Sequence, residues 1–438
     1  MASRGSLTQL AQRIKNRTAR VGVIGLGYVG LPLAVEFARE GFTTAGIDLD
    51  RSRVHGVNRA KSYILDVPSD DLRKLRAAKR LSATSSFDVL GRMDAIIICV
   101  PTPLRKTREP DMSFIVSATK EIAARVRPGQ LIVLESTTYP GTTEEVVLPA
   151  LEAKGLKVGK DFCLAFSPER IDPGNPTFQT RNIPKVIGGI TPVCTKLAQA
   201  LYGTAIHRMV PVSTSKTAEM VKLLENTFRA VNIGLDNEMA LICDRLGINV
   251  WEVIDAAKTK PFGFMPFYPG PGIGGHCIPS DPVYLAWKVR VHGFEARFIE
   301  LATQINGFMP EYVVQRVHRV LNDRKKALKG ARVLLLGLAY KKDVGDLRDS
   351  PAFDVARHLD QQGAAISYHD PFVRSAELNG KRYRSVPLTA ATLKKTDCVV
   401  LLTNHSTVDY RLLAKRAPAI VDTRNQYSGS RNPRIVRL

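Results

Sequence analysis

Long apolar runs are missing from this 438-residue chain. The longest, such as 95–100 and 333–338, are far too short to cross a bilayer, so no membrane span is expected. Residues 1–20 are basic but carry no apolar stretch of the kind a secretory signal needs. Cysteine is scarce. The six residues show no short paired spacing, which argues against a metal site or a disulfide framework and fits a reducing cytoplasm. Acid is also in deficit: 41 Asp and Glu face 63 Lys and Arg, for a formal charge of +22. Clustered basic residues would suggest nucleic acid, but these are dispersed and no nucleic-acid motif is present. The expected result is a solvated surface whose field attracts small polyanions.

What is present reads as a globular protein, 44% hydrophobic and 24% charged, long enough for two or three domains. Leu7, Leu10, Ala11 and Ile14 follow helical spacing after Ser6, a candidate N-cap. The helix they predict either packs on the first domain or lies on a membrane surface. From Arg20, strand, turn and helix alternate. Strands are expected at 21–24, 43–48, 95–100, 131–134, 162–166 and 185–187, with a helix at 31–40. This alternation implies a parallel, doubly wound sheet. The texture changes near Pro211. Residues 213–246 hold no proline and one glycine, Gly234, and Met220, Leu223, Leu224, Phe228, Val231 and Leu235 recur at helical spacing. One long helix is predicted, then a helical segment at 250–257 and a shaped loop at 261–271. A second α/β unit begins near Gly330, with strands at 333–336, 365–368, 398–402 and 419–421 and a helix at 350–362.

Gly25-Leu26-Gly27-Tyr28-Val29-Gly30 fits the G-x-G-x-x-G pattern between a strand and a helix. Gly25 permits the tight turn, Gly27 admits a pyrophosphate to the backbone, and Gly30 lets helix and strand pack closely. The helix N-terminus supplies free N–H groups. Asp48 ends the second strand where a carboxylate can accept from a ribose, which favours NAD over NADP; Arg51 and Arg53 nearby soften that preference. The fold class expected is α/β: two Rossmann-like doubly wound parallel-sheet domains, 1–210 and 326–438, joined by a long central helix and helical domain, 211–325.

Five cysteines, Cys99, Cys163, Cys194, Cys243 and Cys398, fall in expected core segments. Cys277 differs, because it follows the glycines of Gly270-Pro271-Gly272-Ile273-Gly274-Gly275-His276. Glycines there let a substrate approach the sulfur, and a nucleophilic cysteine needs its thiolate stabilised. Asp281, four residues on, can act as base or hold a water. His276 is adjacent and reads as positional. Lys222 and Asn226 lie one helical turn apart, a spacing that suits oxyanion stabilisation but equally a solvated helix face.

These motifs together resemble the UDP-glucose/GDP-mannose dehydrogenase family from Arg20 to about Gln426. The matching stretches are 23–30, 100–104 with Glu109-Pro110-Asp111, 135–143, 167–170, 219–238, 272–281, 337–341 and 348–351. The resemblance implies a twofold, NAD-dependent oxidation of a UDP-sugar through a thiohemiacetal and a thioester on Cys277. It assigns oxyanion stabilisation to Lys222 and Asn226, and proton transfer to Asp281 with Thr137. It assigns water activation to Glu169. Thr102 and Thr137 join Gly25, Gly27, Tyr28, Val29, Gly30, Asp48 and Arg53 as cofactor-binding residues. Lys222, Asn226, Gly274, Lys341 and Arg424 become substrate ligands. A homodimer or higher homo-oligomer built on the central helix is implied as well.

Two departures bear on the substrate. UDP-glucose dehydrogenases usually carry lysine before the motif aspartate, where this chain has Ser280. They also tend to have a second glutamate after the position of Glu169, where this chain runs Arg170-Ile171-Asp172-Pro173-Gly174. Both, with Gly275-His276-Cys277-Ile278-Pro279, resemble the branch acting on UDP-N-acetylhexosamines, and Thr259-Lys260-Pro261-Phe262-Gly263-Phe264 resembles its UDP-N-acetylglucosamine members. UDP-glucose and UDP-N-acetylmannosamine are the alternative substrates. The family's substrate-binding arginine has no clean match, though Lys260 lies close to that position. Readings of another class are a two-electron hydroxyacid dehydrogenase and a non-catalytic NAD-binding scaffold.

Overall fold

The computed structural model describes residues 2–64, 66–105, 107, 109–172, 175 and 177–438, with side chains from Ser6 onward. Two compact units result, Met1–Glu225 and Asn226–Leu438. The long helix Ser215–Leu246 gives its first turns to one and the rest to the other.

The first unit is built on an eight-stranded sheet. Its strands are β1 (Arg20–Ile24), β2 (Thr43–Ile47), β3 (Leu81–Thr84), β4 (Ala95–Ile98), β5 (Leu131–Leu134), β6 (Cys163–Phe166), β7 (Lys185–Gly189) and β8 (Met209–Pro211). They lie in the order β3-β2-β1-β4-β5-β6-β7-β8. The strand order reverses between β1 and β4, which run parallel, and this is the point where such sheets open a crevice at the strands' carboxyl ends. Strands β4, β5 and β6 are buried along their whole length, as central strands covered on both faces must be.

The sheet departs from the expected all-parallel form at one pair. Strand β7 runs antiparallel to β6, with Ala165 opposite Gly189. A parallel neighbour needs a crossover, usually a helix, and the described residues of 167–184 form none. The N-terminal helix spans Ala2–Lys15, so Ser6 lies inside it rather than at its cap. Its apolar face, Leu7, Leu10 and Ile14, is buried in the first unit's core, and Arg13 pairs with Asp94 at 2.8 Å. That face is spent on packing, which removes the membrane-surface reading.

The second unit carries a five-stranded parallel sheet in the order β10-β9-β13-β14-β15. Its strands are β9 (Arg332–Leu336), β10 (Ala365–His369), β13 (Cys398–Leu401), β14 (Ile420–Asp422) and β15 (Ile435–Arg437). A hairpin, β11 (Ser375–Leu378) and β12 (Lys381–Arg384), turns at Asn379-Gly380, both at positive φ, as the type I′ turn requires. The Asn-Gly pair was a legible signal for it. Helices Val250–Ala257, Cys277–Arg290 and Arg297–Asn322 precede the sheet. None of the described helices is long and apolar enough to cross a membrane.

Candidate active site

In the first unit, the segments with chemistry leave the carboxyl ends of adjacent strands. Gly25 follows β1 at φ +92°, and a Cβ there would sit 2.4 Å from the Cys99 carbonyl oxygen. A Cβ on Gly30 would lie 1.8 Å from the Gly25 oxygen. Both glycines are therefore obligatory. Gly27 is different: a Cβ would meet only the Arg53 guanidinium, at 3.9 Å. The backbone there is open to a pyrophosphate. The loop is held from both sides. Asp48 Oδ2 accepts the Leu26 N–H at 2.7 Å, and the Tyr63 hydroxyl donates to the Leu26 carbonyl at 2.8 Å. Arg53 reaches Asp48 at 3.3 Å. Tyr28 is exposed beside Val29, while Gly30 opens the helix Gly30–Arg39. These residues fit a dinucleotide: an open glycine backbone, a helix N-terminus and a carboxylate fixed at the end of β2.

Thr102 follows β4 and is buried. Glu135, Ser136 and Thr137 follow β5; Thr137 is half-buried. Glu169 follows β6, and its neighbour positions Pro173 and Gly174, part of the substrate-branch departure, lie outside the described residues. Glu169 Oε1 accepts the N–H groups of Arg170 and Ile171 at 2.6 and 2.7 Å, and Oε2 pairs with Lys185 Nζ at 3.0 Å. Burial pushes the Glu169 carboxyl up, but the Lys185 charge and these hydrogen bonds outweigh it, and the group is held below the usual carboxylate range.

Lys222 is buried at 8% exposure, which overturns the solvated-face reading that spacing alone allows. One turn earlier on the same helix, Glu219 is fully buried. It accepts from Gly141 N, Thr143 N and the Thr143 hydroxyl at 2.5, 2.9 and 2.6 Å, fixing the chain that follows Thr137. Burial drives its carboxyl up to about 7 against those three bonds.

In the second unit, Cys277 is the first residue of the helix Cys277–Arg290 and its side chain is exposed. Free N–H groups and the helix dipole at that end favour negative charge on the sulfur. Asp281 lies one turn on and is buried. Asn226 is buried too, and its amide donates to Asp281 Oδ2 at 2.5 Å. Asn226 thus orients the aspartate, a partnership the sequence spacing did not suggest. His276 precedes the helix without capping it. Burial lowers its pKa, aided by the Arg348 charge and opposed by Asp349 and Asp346.

The glycines before Cys277 have a packing reason as well as the expected access to the sulfur. A Cβ on Gly274 would lie 2.5 Å from Tyr340 Cβ, and one on Gly275, at φ +87°, would lie 2.8 Å from the Tyr340 ring. The loop is glycine because it presses on Tyr340 and on Asp349 and Pro351, with the Gly275 N–H donating to the Arg348 carbonyl at 3.0 Å.

Lys341 ends the loop after β9 and is half-buried. That loop is pinned as its counterpart after β1 is: Asp370, at the end of β10, accepts Leu338 N–H at 2.7 Å and Ala339 N–H at 3.0 Å. Arg424 follows β14. Its Nε donates to the Leu402 carbonyl at 2.7 Å, and a Cβ on Gly270 would come within 2.9 Å of its guanidinium. Burial lowers the Arg424 pKa to about 10, with Asp422 opposing, so it stays cationic near neutral pH. Lys260 instead lies over the exposed Phe262 ring, 5.0 Å from its centroid.

Sequence reasoning missed Tyr63, Glu135, Lys185 and Glu219. No motif spacing marks them, because each meets its partner only through the fold. Among the described residues, no cluster of His, Cys, Asp or Glu has the arrangement of a metal site.

Residues 19–206 match the NAD binding domain of the UDP-glucose/GDP-mannose dehydrogenase family, 216–307 its central domain and 334–429 its UDP binding domain. The chain is 38% identical to UDP-N-acetyl-D-glucosamine 6-dehydrogenase of Pseudomonas aeruginosa, over 88% of this chain and 90% of that one. It is 37% identical to UDP-N-acetyl-D-mannosamine dehydrogenase of Yersinia pestis, over 88% and 93%. Among solved structures, UDP-D-ManNAc dehydrogenase from Pyrococcus horikoshii superposes with a TM-score of 0.85 at 32% identity, over 93% of this chain and 95% of that one.

Proposed function

Since the chain belongs to the UDP-glucose/GDP-mannose dehydrogenase family, and is thereby an NAD-dependent oxidoreductase of UDP-sugars, we propose that it oxidises the C6 alcohol of a UDP-N-acetylhexosamine to the uronate, with UDP-N-acetylglucosamine the preferred substrate. The observation that carries the covalent route is Cys277, exposed at a helix N-terminus with the buried pair Asn226–Asp281 one turn behind it.

NAD, held at the Gly25–Gly30 loop, would accept the hydride of each oxidation, two NAD molecules serving in turn. Asp281, held by Asn226, with Thr137 manages the alcohol proton as the aldehyde forms. The Cys277 thiolate adds to the aldehyde carbon, and Lys222 stabilises the oxygen that becomes negative. Loss of the second hydride leaves a thioester on Cys277. Water activated by Glu169 attacks it; the acid leaves and the thiol is regenerated. Lys341 and Arg424 supply cationic groups for the diphosphate.

The choice among UDP-sugars rests on Ser280 and on the missing second glutamate after Glu169. Ser280 is buried at 4% exposure, and where the UDP-glucose branch has a long charged lysine its short side chain leaves room. The relatives do not separate the hexosamines, since glucosamine and mannosamine enzymes match equally well. The test is NADH formation with UDP-glucose and the gluco, galacto and manno UDP-N-acetylhexosamines. Two NADH per sugar are expected, with the highest kcat/KM for UDP-N-acetylglucosamine. One NADH per sugar points to a two-electron dehydrogenase. A tenfold preference for UDP-glucose, about 1.4 kcal/mol of transition-state discrimination, overturns the substrate reading.

We further infer a homodimer built on the long helix, whose Met220, Leu224, Phe228, Leu235, Ile242 and Leu246 are exposed. A cytoplasmic location fits six cysteines that are all unbridged.

A further inference from the structure

Behind Glu169 lies a buried ionic cluster that the reaction as described does not use. Lys185, the first residue of β7, is 4% exposed. Its ammonium meets Glu169 Oε2 at 3.0 Å and Glu135 Oε2 at 3.1 Å, and reaches the Pro168 carbonyl at 3.4 Å. Tyr202, on the helix Pro192–Tyr202, is fully buried and donates to Glu135 Oε1 at 2.5 Å. Cys99, after β4, is the remaining titratable neighbour. Four strand ends and one helix thus converge on a single lysine. A buried cation shared by two carboxylates is costly to assemble, and hydrophobic residues of similar volume would stabilise the sheet at least as well. Packing alone gives no reason for it.

The geometry of Glu169 supplies one. Its Oε1 is taken by two backbone N–H groups, so Lys185 is what sets the other oxygen. We propose that Lys185, backed by Glu135 and Tyr202, is a positioning residue for Glu169, holding its carboxylate in the orientation that activates the hydrolytic water. This rests on the reading of Glu169 given above. The two carboxylates differ in kind. Burial pushes Glu135 up to about 7, whereas Glu169 is held low. Near neutral pH, Glu135 therefore takes the proton and Lys185 is left to Glu169. At higher pH, an ionised Glu135 draws on the same ammonium.

The experiment follows the Cys277 acyl-enzyme by rapid quench and mass spectrometry, in the full-length protein with NAD and the UDP-N-acetylhexosamine of highest kcat/KM. Its hydrolysis is measured from about pH 3.5 to 9. Glu169→Gln is expected to accumulate the acyl-enzyme and to slow hydrolysis by about 100-fold or more. Lys185→Met accumulates it as well, with the acidic limb of the profile moved upward by about one unit or more, because Glu169 has lost its cation. Lys185→Arg brings the limb back. Glu135→Gln leaves the acidic limb in place, since Glu135 is already protonated there, and removes the fall above about pH 7 that its ionisation causes by drawing on Lys185. An unmoved limb in Lys185→Met, with Glu169→Gln still accumulating the adduct, overturns the role of Lys185 and leaves that of Glu169 intact. Hydrolysis at the normal rate in Glu169→Gln refutes the reading of Glu169 itself. Should Lys185→Met fail to fold, Glu135→Gln decides, and an alkaline limb identical to the parent's refutes the proposal.

Discussion

Cys277 and Asp281 share a helix face one turn apart, yet one is exposed and the other buried. That division suits a nucleophile that must meet substrate and a carboxylate that must stay oriented. An alcohol loses a hydride without a covalent catalyst; an aldehyde must first become tetrahedral. Cys277→Ala is therefore expected to abolish formation of the acid. Cys277→Ser is expected to trap an ester that hydrolyses slowly, seen as an added nucleotide-sugar acyl mass. Full uronate production by Cys277→Ala sinks the mechanism. Asp48 carries a second prediction. It is the proposed reader of the adenosine ribose, and it also accepts the Leu26 and Asp50 N–H groups. Asp48→Ala should raise the NAD KM, narrow the gap to NADP and lower the melting temperature, because an unpaired buried N–H costs about 1–3 kcal/mol. An unchanged NAD:NADP ratio in steady-state kinetics would show that some other residue reads the ribose.

Among the elements, the long helix Ser215–Leu246 does different work on two faces. Along one, Glu219 accepts from Gly141 and Thr143, Lys222 is buried and Asn226 holds Asp281, while along the other an apolar stripe is left on the surface. The sequence showed apolar residues at helical spacing, but Leu223 is buried while Met220, Leu224, Phe228 and Leu235 are exposed. Periodicity locates a helix, not which apolar face the core takes. Each large side chain buried in a partner contributes roughly 1.5–3 kcal/mol. Leu235→Glu with Ile242→Glu is expected to convert a dimer to monomer in sedimentation equilibrium. A dimer that survives the pair places the interface elsewhere.

At the scale of the whole molecule, the two units respond to pH through different groups. In the second, burial pushes Asp370 up, but hydrogen bonds from His405 and from backbone N–H groups outweigh it and hold the carboxyl low. Hydrogen bonds from Arg332 chiefly, with Lys326, hold Asp397 low too. A depressed carboxyl stabilises the fold fully above its unfolded value, about 3.9, and that stability is lost as pH falls through the folded value. Both tryptophans, Trp251 and Trp287, lie in this unit, so fluorescence reports its unfolding. The unfolding free energy from urea titrations followed by fluorescence is expected to start falling near pH 5 and to keep falling below pH 3, by at most about 1.4 kcal/mol for each unit of depression. Asp370→Asn should lower it at pH 7 and flatten the acid loss. A variant with the same acid slope as the parent assigns that loss to other carboxylates.

Local chemistry alone determined much of this protein. The Gly25–Gly30 pattern, the strand–helix alternation and the proline-free run after Ser213 rest on steric and periodic rules that act within a few residues, and the fold bears them out. Cys277 was visible for the same reason, since its setting is its own neighbouring chain. What the tertiary structure decided are relations between distant residues. Lys222 is buried rather than solvated. Asn226 meets Asp281 across 55 positions, and Lys185 meets Glu135 across 50. Gly274 and Gly275 answer to Tyr340. Strand β7 reverses, since among the described residues of 167–184 no helix carries the chain across the sheet. Each depends on which surfaces the packed strands and helices bring face to face, and desolvation then fixes the charge state of whatever is enclosed there.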